Sequence, residues 1–557
     1  MRALNPEPNI FSIPPELPFA DALVDGLLYG GVIARSDDDP LALSRVTILL
    51  PTRRACRAVA EAFLRQSDKG ALLLPRIRPL GDLDEDEFGA SGLAEGGDLP
   101  LALAPLRRQF VLAQLILARD SECHIDQAVR LAQELGDFLD QAQSERLDLA
   151  GLNDLAPERH AVHWQNVLSF LKLLVVNWPR ILAETGAVDS AARQNTVLDG
   201  LAAAWRESPP REPVIAAGST GSRPATADLM AVVAHLPAGC LVLPGLDQQL
   251  DEDSWRTLGP SHPQFGLKQL LARVGATRDD AQLWPAQHTA AGSTSRAALI
   301  AKAMQPAETV GAWRNMSPVD PDALGNFTLC ECATASAEAG VIALRLRASL
   351  MRKDATAALV TADRGLARRV AAELKRWSIE IDDSAGAPLG KSPPGVFLRL
   401  VARLMAERAA PVAFLAALKH PLAAGGEPPE NFRRMLRSVE RAVLRGARPE
   451  TDLGGLRRAL QAAGEEQAAD WLSAIATAAR PFAQLMAAKV TLIQIVQAHV
   501  AFAEWLAESA TETAAERLWS GEAGEAAAAF MAELTESADH APALDGWEYP
   551  ALFDAML

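Results

Sequence analysis

The sequence has few cysteines: five in 557 residues, scattered along the chain. That number and spacing exclude the disulfide framework of small secreted domains. Cys330 and Cys332 form a lone Cys-x-Cys pair, and with no second pair we interpret them as buried thiols on a strand rather than a metal site. No apolar run is long enough to span a membrane, and residues 1–6 do not resemble a signal peptide. We therefore expect a cytoplasmic protein in a reducing compartment.

The sequence also lacks a glycine-rich phosphate loop that ends in Gly-Lys-Ser/Thr. Between a predicted strand that starts at Ile10 and a predicted helix that starts at Phe19, the loop includes Pro-Pro-Glu-Leu-Pro, which removes amide donors and adds a carboxylate. The predicted strand at residues 214–217 ends in Ala-Gly, where a nucleotide-driven motor would have Asp-Glu to hold Mg²⁺. We therefore expect no nucleotide, metal or other cofactor in this segment.

One stretch partly resembles a phosphate loop. Residues 386–394 read Gly-Ala-Pro-Leu-Gly-Lys-Ser-Pro-Pro, one residue short of the required spacing. The two prolines after Ser392 remove amides that a phosphate would need. An active NTPase that uses Lys391 in an atypical phosphate loop therefore stays an alternative.

Acidic residues outnumber basic ones, 70 to 54, for a formal net charge of −16. This balance argues against a simple basic nucleic-acid coat protein, but it is compatible with a local basic channel. The apolar share of 49% is that of a globular chain, and the length is sufficient for three or four domains. Abundant alanine and glutamate favour more helix than average.

Residues 46–57 combine a strand, a loop and a helix. Val46 to Leu50 are apolar or β-branched without alternation, which predicts a strand buried on both faces. Pro51 ends the strand and Thr52 is a good N-cap for a helix. Arg53, Arg54 and Arg57 then lie where helix-terminal amides favour an anion, and a phosphate suits this position. The alternative is a solvated helix face.

The rest of the chain alternates between α/β and helical patterns. A second α/β pattern has predicted strands at 327–332, 357–360 and 378–381, and Asp363 and Arg364 begin its second helix. The predicted fold class is α/β with large helical insertions, dominated by helix. The predicted domains are a first α/β domain at 1–99 plus 206–290, a helical insertion at 100–205, a linker at 291–325, the start of a second α/β domain at 326–395, and a truncated helical domain at 396–557.

Two α/β bodies joined by a linker resemble the core of superfamily 1 helicases, a P-loop NTPase-type fold that is degenerate here. Residues 46–57 resemble the strand–Pro-Thr–helix motif that grips single-stranded DNA. Residues 214–247 resemble the segment with the Walker B and following motifs, and residues 327–381 resemble the start of the second motor domain. The sequence segments at residues 13–19, 74–82 and 418–422 extend this resemblance. Together they make the chain similar to the N-terminal half of the AddB family of alphaproteobacterial type.

That resemblance implies a function. AddB subunits pair with AddA in RecBCD-like, ATP-dependent helicase–nucleases that process bacterial double-strand breaks for homologous recombination. The implied role is a non-hydrolysing subunit that binds single- and double-stranded DNA, with ATP and Mg²⁺ in the AddA-like partner. The nuclease, with its iron–sulfur cluster and Mg²⁺ sites, would lie beyond Leu557. The implied DNA-binding residues are Thr52, Arg53, Arg54, Arg57, Asp363 and Arg364. A helical protein-interaction scaffold is a further alternative.

Overall fold

The structure is a computed structural model that describes residues 4–32, 41–67, 73–80, 100–120, 122–149, 173–289, 292–315, 317–353, 355–447 and 449–557. Gly81 and Asp82, which end the AddB-like segment at residues 74–82, lie outside these ranges. None of the helices in the described ranges combines the length and the apolar character that crossing a bilayer requires.

The main sheet has six strands, all parallel, in the order β3-β2-β6-β7-β1-β8. Two further sheets have two strands each: β4 pairs with β5 and β9 pairs with β10. The strands of the described residues are, in chain order, β1 Ile10–Ile13, β2 Thr47–Leu50, β3 Arg76–Pro79, β4 Leu101–Ala102, β5 Ala187–Val188, β6 Val214–Ala217, β7 Gly239–Pro244, β8 Gln282–Leu283, β9 Lys489–Val490 and β10 Leu544–Asp545.

Helices make up most of the remaining regular structure, which confirms the predicted helix-dominated α/β class. The α-helices of the described residues are, in chain order, α1 Phe19–Leu28, α2 Arg53–Gln66, α3 Pro105–Arg119, α4 Ile125–Ser144, α5 Trp178–Thr185, α6 Ser190–Glu207, α7 Pro224–His235, α8 Glu252–Thr257, α9 Phe265–Val274, α10 Thr294–Ala303, α11 Ala335–Leu350, α12 Arg364–Lys375, α13 Pro393–Ala406, α14 Pro411–Leu418, α15 Pro429–Val439, α16 Asp452–Ala462, α17 Glu466–Leu485, α18 Leu492–Ala507, α19 Ala514–Arg517, α20 Gly521–Ser537 and α21 Tyr549–Met556.

The six-stranded sheet is covered by helices on both faces, which explains why its central strands are apolar without alternation. Ile48 and Leu50 of β2 point into a core with α1 and α2. Leu49 points to the opposite face, where α6, α7 and α9 pack. Burial on two sides is therefore the cause of the continuous apolar run at residues 46–50.

A single large core joins two helical regions that lie far apart in sequence. Phe110 and Trp178 belong to the predicted insertion, and Phe397, Phe482 and Phe553 belong to the C-terminal helical region. All five side chains are fully buried in one apolar cluster. The two helical regions therefore form one helical body beside the sheet.

The second parallel sheet predicted from the sequence is not formed. Within the described residues, no strand is assigned at 327–332, 357–360 or 378–381, although helices α11 and α12 lie between these segments as predicted. The segments lack the inter-strand hydrogen bonds that define a sheet, and Ser378 has a left-handed backbone conformation (φ 56°) that does not fit a strand. Phe327, Val360 and Cys330 are exposed and Cys332 is half-buried, so the interpretation of the two cysteines as buried thiols on a strand was wrong.

Candidate nucleic-acid interface

The first half of the candidate interface is the N-terminus of α2. β2 ends at Leu50, and the Thr52 hydroxyl oxygen accepts a hydrogen bond from the amide of Ala55 at 3.1 Å, so Thr52 is the N-cap as predicted. Arg53 and Arg54 are consequently the first two residues of the helix. Both side chains are exposed beside helix-terminal amides, whose partial positive charge favours an anion.

Arg54 is engaged by an acidic residue from a distant part of the sequence. Its Nη1 donates to Oδ2 of Asp382 at 2.8 Å, and its Nη2 donates to Oδ1 at 3.0 Å. The two parallel bonds form a bidentate arginine–carboxylate pair between residues 328 positions apart. The contact places the loop after residue 381 against the start of α2.

Arg364, at the start of α12, makes an equivalent pair with Asp383, the residue that follows Asp382. Its Nη1 and Nη2 donate to the two carboxylate oxygens of Asp383 at 2.9 and 2.7 Å. The hydrogen bonds from Arg364, together with one from the amide of Ala385 and the charge of Arg54, lower the pKa of Asp383 to about 2. Asp383 therefore stays ionised at neutral pH.

Asp363 caps α12, because its carboxylate accepts a hydrogen bond from the amide of Gly365 at 2.6 Å. Its pKa is lowered by backbone hydrogen bonds from Leu366 and Gly365, and by the charges of Arg369 and Arg368. A capping carboxylate explains why an acidic residue stands in this motif. It also means that Asp363 would position Arg364 rather than bind phosphate itself.

The structure brings the two predicted groups of residues together, because Arg54 and Arg364 bind consecutive aspartates. Arg57, one turn further along α2, is also exposed. We use the name arginine patch for these side chains and their neighbours on the two helices. The arginine patch consists of Arg53, Arg54, Arg57, Arg364, Arg368 and Arg369. Three aspartates, Asp363, Asp382 and Asp383, lie among these six arginines, so the patch is locally basic in an acidic chain.

Sequence reasoning missed Asp382, Asp383 and Arg78. Arg78 is exposed on β3, next to β2. Burial raises the pKa of Cys56 on α2, and the positive charge of Arg78 opposes this shift. Arg78 therefore extends the basic surface beside the start of α2. The one available signal for the acidic pair was that two aspartates directly follow the predicted strand at 378–381.

A cleft of about 790 Å³ lies where β1 and β7 end. This is a switch point of the sheet, since β1 connects to β2 on one side and β7 connects to β8 on the other; doubly wound sheets bind ligands at such points. Its lining includes Pro14, Pro15, Glu16, Asp247 and exposed apolar side chains from β8 and α10.

The backbone of this cleft offers little to a phosphate. Pro14 and Pro15 have no amide hydrogen, and four other amides around the cleft already donate within the protein. The bonds are Leu17 N to Pro14 O, Gly245 N to Ile13 O, Leu246 N to Ser12 Oγ and Asp247 N to Gln264 Oε1. Together with the carboxylate of Glu16, this arrangement disfavours a nucleotide.

Lys391 also lies in a context that differs from that of a phosphate loop. It ends a short 3₁₀ turn, Leu389–Lys391, that does not follow a strand. The Ser392 hydroxyl donates to Leu389 O at 2.7 Å and accepts from Gly395 N at 3.3 Å, as the N-cap of α13. The Ser392 hydroxyl, which would hold Mg²⁺ in a phosphate loop, therefore caps a helix here.

The described residues contain no group of three or more His, Cys, Asp or Glu side chains arranged to hold a metal ion. The arginine patch offers paired guanidinium donors at two helix N-termini. Comparison of the chain with protein-family models and with curated proteins found no match.

Proposed function

We propose that this chain is a DNA-binding subunit that does not hydrolyse nucleotide. In this proposal it is a degenerate superfamily 1 helicase-like protein of the AddB type, and it acts with an AddA-like subunit in double-strand break repair. The observation that carries the proposal is the arginine patch, where Arg53 and Arg54 begin a helix at the carboxyl end of β2 in the parallel sheet. Guanidinium groups beside helix-terminal amides are well suited to the phosphates of a DNA backbone.

Two further observations support the lack of hydrolysis. The cleft at the ends of β1 and β7 has prolines and a glutamate where a nucleotide would need amides and a lysine. The strand β6 ends in Ala217, so no carboxylate stands at its end to hold Mg²⁺. A motor subunit would need both a phosphate-binding loop with a lysine and a carboxylate that holds Mg²⁺. In this proposal an AddA-like partner therefore supplies the ATP chemistry.

The proposal is tested by the binding of a fluorescein-labelled oligothymidylate, followed by anisotropy over a series of salt concentrations. Wild-type protein should bind with an affinity that falls as salt rises, because cations released from the phosphates drive binding. The double substitution Arg53→Glu, Arg54→Glu should weaken binding at least about tenfold and reduce the salt slope by roughly 1.4, as expected for two lost phosphate contacts on a single strand. Glutamate suits a helix N-terminus, so the fold should persist.

Arg433→Glu, Arg434→Glu is the matched control, since these two adjacent arginines are also exposed on a helix, in the middle of α15. It makes the same change in net charge away from α2. Equal loss of affinity in both double variants would indicate a general charge effect and would count against the arginine patch. Absence of binding by the wild-type protein would count against the function itself.

A further inference from the structure

The loop at residues 382–386 places two consecutive carboxylates on arginines from two different helices. Asp382 binds Arg54 of α2, and Asp383 binds Arg364 of α12, each through two hydrogen bonds. Both arginines belong to the arginine patch, the surface proposed to bind DNA. Acidic side chains therefore occupy the donors that the proposed function requires.

A bidentate carboxylate and a phosphate use the same face of a guanidinium group. In both cases two parallel N–H donors meet two oxygens of an anion. The Nη1 and Nη2 groups of Arg54 cannot make these bonds to Asp382 and to a DNA phosphate at the same time. A phosphate that binds this Nη1–Nη2 edge of Arg54 therefore competes with Asp382.

The two pairs differ in how firmly they hold the loop. The Asp383 pair is reinforced, because Ala385 N donates to its carboxylate at 3.0 Å and Arg364 also donates to Gly386 O at 3.2 Å. The Asp382 pair has no such reinforcement among the described residues, and its side chains are 52% and 69% exposed for Arg54 and Asp382. Exposed pairs of this kind contribute little in water, so Asp382 is the member that a phosphate can displace.

We propose that Asp382 is a displaceable phosphate mimic that holds Arg54 until a DNA backbone replaces it, while Asp383 keeps the loop anchored on α12. This inference rests on the proposed function, because it concerns the same arginine. Its consequence is mechanical as well as electrostatic: DNA binding at Arg54 breaks a contact between α2 and the loop that Asp383 anchors on α12.

The test is the affinity of the labelled oligothymidylate for Asp382→Asn. Removal of the competing charge should tighten binding roughly two- to fivefold, the range expected when an exposed ion pair is lost. Glu450→Gln is the matched control, since Glu450 forms an exposed pair with Arg458 and the substitution makes the same change in charge. The effect of Asp382→Asn should exceed that of the control.

A double-mutant cycle identifies Arg54 as the group that is released. In an Arg54→Gln background, Asp382→Asn should leave the affinity unchanged. The proposal is overturned if Asp382→Asn and Glu450→Gln behave alike, or if the gain persists without Arg54; binding that still depends on Arg53 and Arg54 would then leave the proposed function intact. If neither wild type nor Asp382→Asn binds the oligonucleotide, both proposals fail together.

Discussion

His499 is a fully buried ionisable side chain of the helical body, and its hydrogen bonds determine its tautomer. Nε2 lies 3.0 Å from Leu398 O, which can only accept, so Nε2 carries the hydrogen. Nδ1 therefore accepts from the Tyr549 hydroxyl at 2.8 Å. The ring also stacks on Phe482 at 5.1 Å between centroids. Burial lowers the pKa of His499 to about 4, although the bond to Leu398 opposes this shift.

We predict that His499→Leu removes a pH-dependent part of the stability. The folded-state pKa lies below the unfolded value of about 6.5, so the unfolded chain binds more protons between these values. The stabilisation by His499 is therefore complete above about pH 6.5 and is lost as the pH falls towards 4, by up to about 3 kcal/mol at 1.4 kcal/mol per pH unit. Urea unfolding at pH 7 and pH 4.5 measures this difference.

At pH 7 the variant should also lose about 1–3 kcal/mol, because the Tyr549 hydroxyl and Leu398 carbonyl are left without their partner. The difference in the free energy of unfolding between wild type and variant should then be smaller at pH 4.5 than at pH 7. His124→Gln is the control, since the His124 side chain is 70% exposed. A gap of equal size at both pH values would show that His499 does not titrate in this window.

Local capping could be predicted at single residues, whereas long-range pairing could not. Thr52 and Asp363 cap α2 and α12 as their positions before arginine-rich helices indicated. The pairing of Arg54 with Asp382 has no such local signal, because 328 positions separate the two residues and only the tertiary fold brings them together.

At the scale of elements, the edge strand β8 is held in place by an indole ring packed on a glycine. Trp284 directly follows β8, and its Nε1 donates to Ala22 O of α1 at 3.0 Å. A Cβ added to Gly26 of α1 would lie 2.1 Å from that Nε1 atom. Gly26 is therefore required for the close approach of the ring and the helix.

We predict that Gly26→Ala lowers the free energy of unfolding by about 1–3 kcal/mol, the usual cost of overpacking a core. Gly200→Ala is the matched control, since Gly200 lies inside the helix α6 with open space around its Cα. There the gain in helix propensity should stabilise the protein by about 0.5–1 kcal/mol. Chemical unfolding of both variants gives the comparison, and an equal effect of the two substitutions would contradict the packing argument.

Elements with strong periodicity were predicted well, and those that depend on a partner were not. The helix predicted to start at Phe19 is formed as α1, because its apolar spacing is local. The strands predicted at 327–332, 357–360 and 378–381 failed, since apolar sequence favours an extended chain but a sheet also needs a paired neighbour. β8 was missed because a two-residue strand carries too little pattern.

At the scale of the whole molecule, we predict that ATP with Mg²⁺ does not stabilise the protein. A ligand present at a hundred times its dissociation constant adds about 2.7 kcal/mol to the folded state, so even modest nucleotide binding would raise the melting temperature. Thermal unfolding with and without millimolar nucleotide is the measurement. An upward shift that Lys391→Ala abolishes would support the alternative of an atypical phosphate loop.

The shared core of the helical body has a consequence for how the protein is made. Trp178 emerges from the ribosome roughly 370 residues before Phe553, which is buried in the same cluster. Since translation adds about 5–20 residues per second, the apolar faces of the early helices lack their last packing partners for on the order of 20–70 s. During translation these faces are a natural target for chaperones, and a ribosome stalled before α21 would carry a nascent chain prone to aggregation.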